Sequence, residues 1–130
     1  MSTEQLKFWS CYCRSLTHPR GAEVKREISE SQLHFLFLQE TGSATNLQVI
    51  EDYTLVGRYS RANKRGGGVA VYARVSIMDG ISYKFVESGS IEALEYCAIE
   101  INAGELTIRA ASVYLPPNLE ENGIALWTIF

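Results

Sequence analysis

Long hydrophobic runs are missing from this chain of 130 residues. Its fully apolar stretches are far shorter than a bilayer requires, so no transmembrane helix is expected. The opening Met1-Ser2-Thr3-Glu4-Gln5 is polar and acidic, unlike the basic start and apolar core of a secretory leader. The expectation is an intracellular setting, cytoplasmic or nuclear, with no membrane partner. Cysteine is scarce too: there are three, an odd number with no dense framework, which suits a reducing compartment. A basic excess is also lacking. The formal charge is −3, whereas a free-standing nucleic-acid-binding module is more often basic, so any such binding has to use a local patch. No repeat, linker or low-complexity segment divides the chain, and its length allows one domain at most, spanning 1–130. Hydrophobic residues at 46% against 21% charged place it among globular rather than disordered chains.

What is present is a hydrophobic strand that ends in a carboxylate. Leu33-His34-Phe35-Leu36-Phe37-Leu38 is apolar at five of six positions and predicts burial on both faces. It runs into Gln39-Glu40-Thr41, and ligands in open α/β sheets sit beyond the carboxyl ends of strands. Glu40 is therefore the first candidate for chemistry, against the plainer reading that it opens a polar loop. Residues 65–74, Arg-Gly-Gly-Gly-Val-Ala-Val-Tyr-Ala-Arg, lead three glycines into a second strand. Glycine there permits special backbone angles or close approach by another segment. Residues 112–118, Ser-Val-Tyr-Leu-Pro-Pro-Asn, end a third strand at paired prolines, which cannot continue a ladder. Tyr114 is thus left at a strand end.

Further elements follow from patterning. Residues 6–13 read as a first strand. A helix from about 19 to 30 follows, starting near Thr17-His18-Pro19, with Ala22, Val24 and Ile28 as its apolar stripe. Residues 42–52 predict a loop or short helix. Residues 53–59 predict a strand that forms a hairpin with 68–74. Ile81–Val86 is a weaker strand. Ala93–Ile101 places Cys97, Ile99 and Ile101 on one face, turns at Asn102-Ala103-Gly104, and pairs with Leu106–Leu115. Beyond Ala110 both faces of that strand are apolar or small, so it enters the middle of a sheet.

Several residue groups admit two readings. Cys11 and Cys13 share a strand face. They are either buried reduced cysteines or the start of a metal site completed by Cys97, His18 or His34, though the spacing is not that of a zinc knuckle. Arg58, Arg61, Lys64 and Arg65 fall within eight residues without an acid; they contact phosphates or form a solvated hairpin tip. Glu87, Glu92, Glu95, Glu100 and Glu105 make an opposite face or end acidic. Glu92 and Glu95 are either metal ligands or exposed charges flanking a strand.

Taken in order, these segments resemble the endonuclease/exonuclease/phosphatase superfamily, and most of all the endonuclease domain of non-LTR (LINE-type) retrotransposons. Cys13-Arg14-Ser15-Leu16, Leu38-Gln39-Glu40-Thr41, the Arg65–Arg74 strand and Val113-Tyr114-Leu115-Pro116-Pro117 carry the likeness over roughly residues 6–118. The resemblance implies Glu40 as a Mg²⁺ ligand and Tyr114 as a catalytic group orienting the phosphate, with an aromatic at a sheet edge as the latter's plainer role. It also implies DNA as partner of a parent domain, with a reverse transcriptase region in a longer parent chain. RNA and lipid or inositol phosphate phosphodiesterases belong to the same superfamily. The family's metal-site Asn is replaced by Tyr12, which either crowds the site or swings out of it. Gly-Asp-Phe-Asn, Ser-Asp and a catalytic His do not follow before Phe130. The implied fold is α+β: an incomplete α/β sandwich, the amino-terminal half of a two-sheet sandwich with helices outside and mixed and antiparallel strands. On that reading the chain is a fragment, either the inactive half of a nuclease or a decayed, weakly binding domain. Its strands ending at Leu38, Arg74 and Leu115 would lack a partner sheet, leaving apolar surface exposed.

Overall fold

The computed structural model describes residues 6–12, 21–41, 49–61, 67–76, 78–115 and 124–129, without the side chains of Val24 and of 124–129. The helix start at Thr17-His18-Pro19, Cys13, residues 42–48, Lys64, Arg65 and the Pro116-Pro117 stop lie outside these residues. The elements in chain order are β1 (Phe8–Tyr12), α1 (Gly21–Glu30), β2 (Phe35–Gln39), β3 (Tyr53–Tyr59), β4 (Val69–Arg74), β5 (Ile81–Ile91), β6 (Leu94–Ala103), β7 (Leu106–Tyr114) and β8 (Ile124–Ile129). They form two four-stranded sheets, an α+β sandwich with mixed and antiparallel strands.

The first sheet has the order β1-β2-β4-β3. β1 and β2 pair in parallel, as a connection through α1 requires. β2–β4 and β3–β4 are antiparallel, and the 53–59 and 68–74 runs form the expected hairpin. The second sheet is an antiparallel meander, β5-β6-β7-β8. β5 continues five residues past its expected end at Val86, to Ile91. β6 runs on to Ala103, so the turn falls at Gly104-Glu105 rather than at 102–104. Gly104 takes φ +62° there, as tight hairpin turns demand.

The apolar run of β2 is buried at every position because each of its faces has its own cover. Phe35 and Phe37 join Val69, Val71 and Ala73 of β4 in one cluster. Leu36 and Leu38 join Ile28, Leu33, Ile50, Tyr53, Ala70 and Tyr72 in another, on the side of α1. Of the stripe expected on α1, Ile28 is buried and Ala22 is exposed.

The expectation of a missing partner sheet is corrected here. Cys97, Ile99 and Ile101 of β6, with Ile108, Ala110 and Tyr114 of β7, close over Phe35, Phe37, Val69, Val71 and Ala73. The second sheet comes from this same chain, through the period-2 alternation of β6 and β7 that puts one face on a core. Phe35 meets Tyr83 of β5 edge-on across the gap, with ring centroids 5.7 Å apart. The sheets pack closely at Gly57, where a Cβ would stand 2.4 Å from Cδ1 of Phe85 and 3.0 Å from Sγ of Cys97. No helix among the described residues is long and apolar enough to cross a membrane.

Candidate active site

The end of the sandwich where β2, β3 and β7 finish and β4 and β6 begin collects the polar residues. Beneath it lies a buried hydrogen-bonded bridge between the sheets. The Ser112 hydroxyl donates to the Leu38 carbonyl at 2.8 Å and accepts from the Gln39 side-chain amide at 2.9 Å. The Gln39 amide oxygen accepts from Ser10 at 3.2 Å. Buried polar groups without partners are costly, so this bridge fixes the relative height of β2 and β7. Gln39 is the neighbour of Glu40, and Ser112 lies two residues before Tyr114 on the same face. The bridge therefore sets the alignment of the two candidates above it.

Glu40 and Tyr114 meet. The Tyr114 hydroxyl donates to Glu40 Oε1 at 2.9 Å, across 74 residues of sequence and from one sheet to the other. Glu40 is half-buried and has φ +55°. A left-handed backbone at a non-glycine residue costs about 1 kcal/mol or more and concentrates at functional sites. Tyr114 is 4% exposed. Burial first, then the hydrogen bond and charge of Glu40, push its hydroxyl up to about 12, with Tyr12 adding to the push and Arg61 opposing it. The hydroxyl therefore stays protonated and remains a donor through the physiological range.

Glu95 is a site residue that the sequence reading placed wrongly. It is not an exposed strand-flanking charge but 3% exposed, directly opposite Tyr114 in the β6–β7 register. Its Oε1 accepts from the Gly68 backbone N–H at 2.6 Å, and its Oε2 forms an ion pair with Arg61 Nε. The glycine run serves this contact: Gly67 and Gly68 have φ +65° and +87°, and a Cβ on Gly67 would stand 2.3 Å from Arg61 Nε. Gly68 also accepts from the Thr41 N–H through its carbonyl, at 3.3 Å, which draws the residue after Glu40 toward β4. The phase of β6 carried the signal, because Glu95 lies two residues before Cys97 on the inward face.

The cation cluster divides. Arg61 belongs to the site through Glu95 and is not a solvated hairpin tip. Arg58 is exposed on β3. Glu92 is exposed in the β5–β6 turn. Tyr12 is half-buried against the inter-sheet cluster and close enough to act on Tyr114 electrostatically.

Among the described residues, Cys11 and Cys97 do not come together; Cys13 and His18 lie outside them. Cys97 is buried between the sheets, whereas Cys11 packs on the opposite face of the first sheet. Burial pushes the Cys97 thiol up to about 12, which suits an inert core cysteine. His34 accepts from the Lys7 backbone N–H through Nδ1 at 3.0 Å. No three His, Cys, Asp or Glu side chains converge on a metal position among the described residues.

The donor set fits Mg²⁺ in one mode. Among the described residues at this end, Glu95 has both oxygens engaged and Tyr12 offers no amide oxygen, which leaves Glu40. Its Oε1 accepts from Tyr114, and a carboxylate has about four acceptor positions over its two oxygens. Mg²⁺ is commonly held by one or two carboxylates together with waters and substrate phosphate.

Comparison with protein-family models, curated proteins and solved structures finds no match for the chain.

Proposed function

We propose that Glu40 and Tyr114 form one side of a Mg²⁺-dependent phosphodiesterase site acting on DNA, of the kind found in the retrotransposon endonucleases that the sequence resembles. The observation that supports this reading is the 2.9 Å hydrogen bond between the two residues. Sequence resemblance selected them separately, and the fold joins them at the ends of β2 and β7.

The chain's own residues supply binding and orientation. Glu40 would hold the metal. Tyr114, kept protonated by burial and by Glu40, would donate to a phosphate oxygen or orient one. The Ser10–Gln39–Ser112 bridge keeps the pair aligned to the tolerance that positioning requires. A bound Mg²⁺ would supply Lewis-acid stabilisation of the charge that grows on the phosphate.

A second reading, binding without turnover, is favoured by the state of the other donors. Glu95 is fully engaged, Tyr12 stands in place of an Asn, and no base is positioned beside Glu40 among the described residues. Two assays separate the readings. Mg²⁺-dependent tightening on a DNA oligonucleotide that requires Glu40 tests the site itself. Nicking of a supercoiled plasmid tests turnover. Nicking by residues 1–130 should stay at background; nicking that disappears on Glu40→Ala would overturn the binding-only reading.

A further inference from the structure

Arg61 stands close enough to the Glu40–Tyr114 pair to act on Tyr114 electrostatically, and its placement is constrained. Its side chain is 24% exposed, whereas that of Glu95 is 4% exposed. The carboxylate is thus buried, and the guanidinium is the more exposed partner of the pair. Among the described residues Glu95 is its partner, bound through Nε. A guanidinium has five N–H donors, and the four on Nη1 and Nη2 are not spent on Glu95. A lone buried ion pair adds little to stability, because desolvation offsets its attraction. Yet here a buried carboxylate, two left-handed glycines and a backbone N–H converge to hold one arginine beside a phosphate-orienting tyrosine. An arginine tied by Nε keeps a planar fork for two anionic oxygens, and a lysine in its place could not do both.

We propose that Glu95 is a positioning residue: with Gly67 and Gly68 it holds Arg61 beside Tyr114, where the guanidinium binds non-bridging oxygens of the phosphodiester. The inference rests on the reading of Glu40 and Tyr114 as a phosphodiester site. It adds a third contact and a reason for the glycine run, which clears the space that Arg61 occupies.

The test is the affinity of the full chain for a short DNA oligonucleotide, read by fluorescence anisotropy across a salt series. Arg61→Ala should weaken binding about tenfold and lower the log–log salt slope by about one unit. Lys84→Ala removes a charge that is 68% exposed on β5 and should change neither. Glu95→Gln gives the decisive sign. Deleting a negative charge should tighten DNA binding if Glu95 acts only through its charge. It should weaken binding if Glu95 positions Arg61, because an amide has one oxygen for the two donors, Gly68 N–H and Arg61 Nε–H, and turns its own N–H on the other, which loosens the hold on Arg61. Gly67→Ala should weaken binding similarly, by displacing Arg61. Gly104→Ala carries the same backbone strain at φ +62° with open space around it, and should leave binding unchanged. In an Arg61→Ala background, neither Glu95→Gln nor Gly67→Ala should weaken binding further. Tighter binding by Glu95→Gln, or equal effects of Arg61→Ala and Lys84→Ala, overturns the inference. If those results appear while Mg²⁺ still tightens binding through Glu40, the inference alone fails. If the Arg61 effects appear without any Glu40 or Mg²⁺ response, the metal site fails and the arginine contact stands. If Glu95→Gln does not keep a cooperative thermal transition, Gly67→Ala against Gly104→Ala decides.

Discussion

Glu95 and Tyr114 face each other across β6 and β7, and each reaches away from its own sheet to the other one. Glu95 binds Gly68 at the start of β4 and Arg61 just beyond β3. Tyr114 binds Glu40 just beyond β2. One cross-strand pair therefore ties two connections of the opposite sheet together, β2–β3 through Glu40 and β3–β4 through Arg61 and Gly68, and the candidate site lies where they converge.

The link between Tyr114 and Glu40 is open to titration. Glu40→Gln removes the charge of Glu40, one of the causes that raise Tyr114, and leaves burial, the largest, in place. The Tyr114 hydroxyl should therefore ionise at lower pH in Glu40→Gln than in the parent chain, yet still above its ordinary value of 10.0. A difference ultraviolet titration against a Tyr114→Phe reference reads this directly. An unchanged transition would mean that the Glu40 carboxylate does not stand beside Tyr114 in solution.

Stability should fall in strong alkali. Tyr114 and Cys97 hold their protons more tightly folded than unfolded, near 12 in each case against ordinary values of 10.0 and 9.0. The unfolded chain releases these protons first, so their contribution is complete below pH 9 and is lost as pH rises toward 12. Each unit of difference corresponds to about 1.4 kcal/mol, which makes the total loss on the order of several kcal/mol. Denaturant midpoints measured from pH 8 to pH 11.5 should decline, and Cys97→Ala should flatten the early part of that decline. A flat profile in the parent chain would show that these groups are solvated.

The polar bridge should matter more than its size suggests. Ser112→Ala removes the shorter of the two bonds that the Gln39 amide donates, the other going to the Phe37 carbonyl at 3.3 Å, and the Ser112 hydroxyl's bond to the Leu38 carbonyl. Losing buried bonds of this kind costs about 1–3 kcal/mol. The same variant should loosen the alignment of Glu40 with Tyr114, so the Tyr114 ionisation should shift as well. Loss of stability without that shift would confine the bridge to a packing role.

The exposed apolar surface expected from the sequence gives way to the opposite prediction. With Phe35, Phe37, Val69 and Val71 covered by Cys97, Ile99, Ile101 and Ile108, the chain should melt cooperatively and bind little hydrophobic dye. Strong dye binding together with a broad transition would show that the two sheets do not stay packed.

The strands that proved easiest to read were those whose chemistry is local. β2, β4 and the end of β7 are continuous apolar runs, and Glu40 and Tyr114 are marked by the abrupt change of composition after them. The sheet-on-sheet core was harder, because whether two half-buried strands find a cover is a property of topology and not of any window of sequence. Glu95 was legible in principle. A charge in phase with Cys97, Ile99 and Ile101 has to point into the core, and it needs a buried donor there. The donors, Gly68 and Arg61, lie 27 and 34 residues away across a sheet, and no spacing rule connects them. The expectation for α1 erred at Ala22, which three-residue spacing assigns to the apolar face and the packing leaves in water.

The central claim is that Glu40, with Tyr114, addresses a phosphodiester through Mg²⁺. The direct measurement is the affinity of the chain for a DNA oligonucleotide with and without Mg²⁺ at matched ionic strength, in the parent chain and in Glu40→Gln. Ligands that share a site typically couple by 1–3 kcal/mol, so Mg²⁺ should tighten binding by about tenfold in the parent and leave Glu40→Gln unchanged. Equal affinity with and without Mg²⁺ in the parent, or an equal gain in both proteins, would contradict the account.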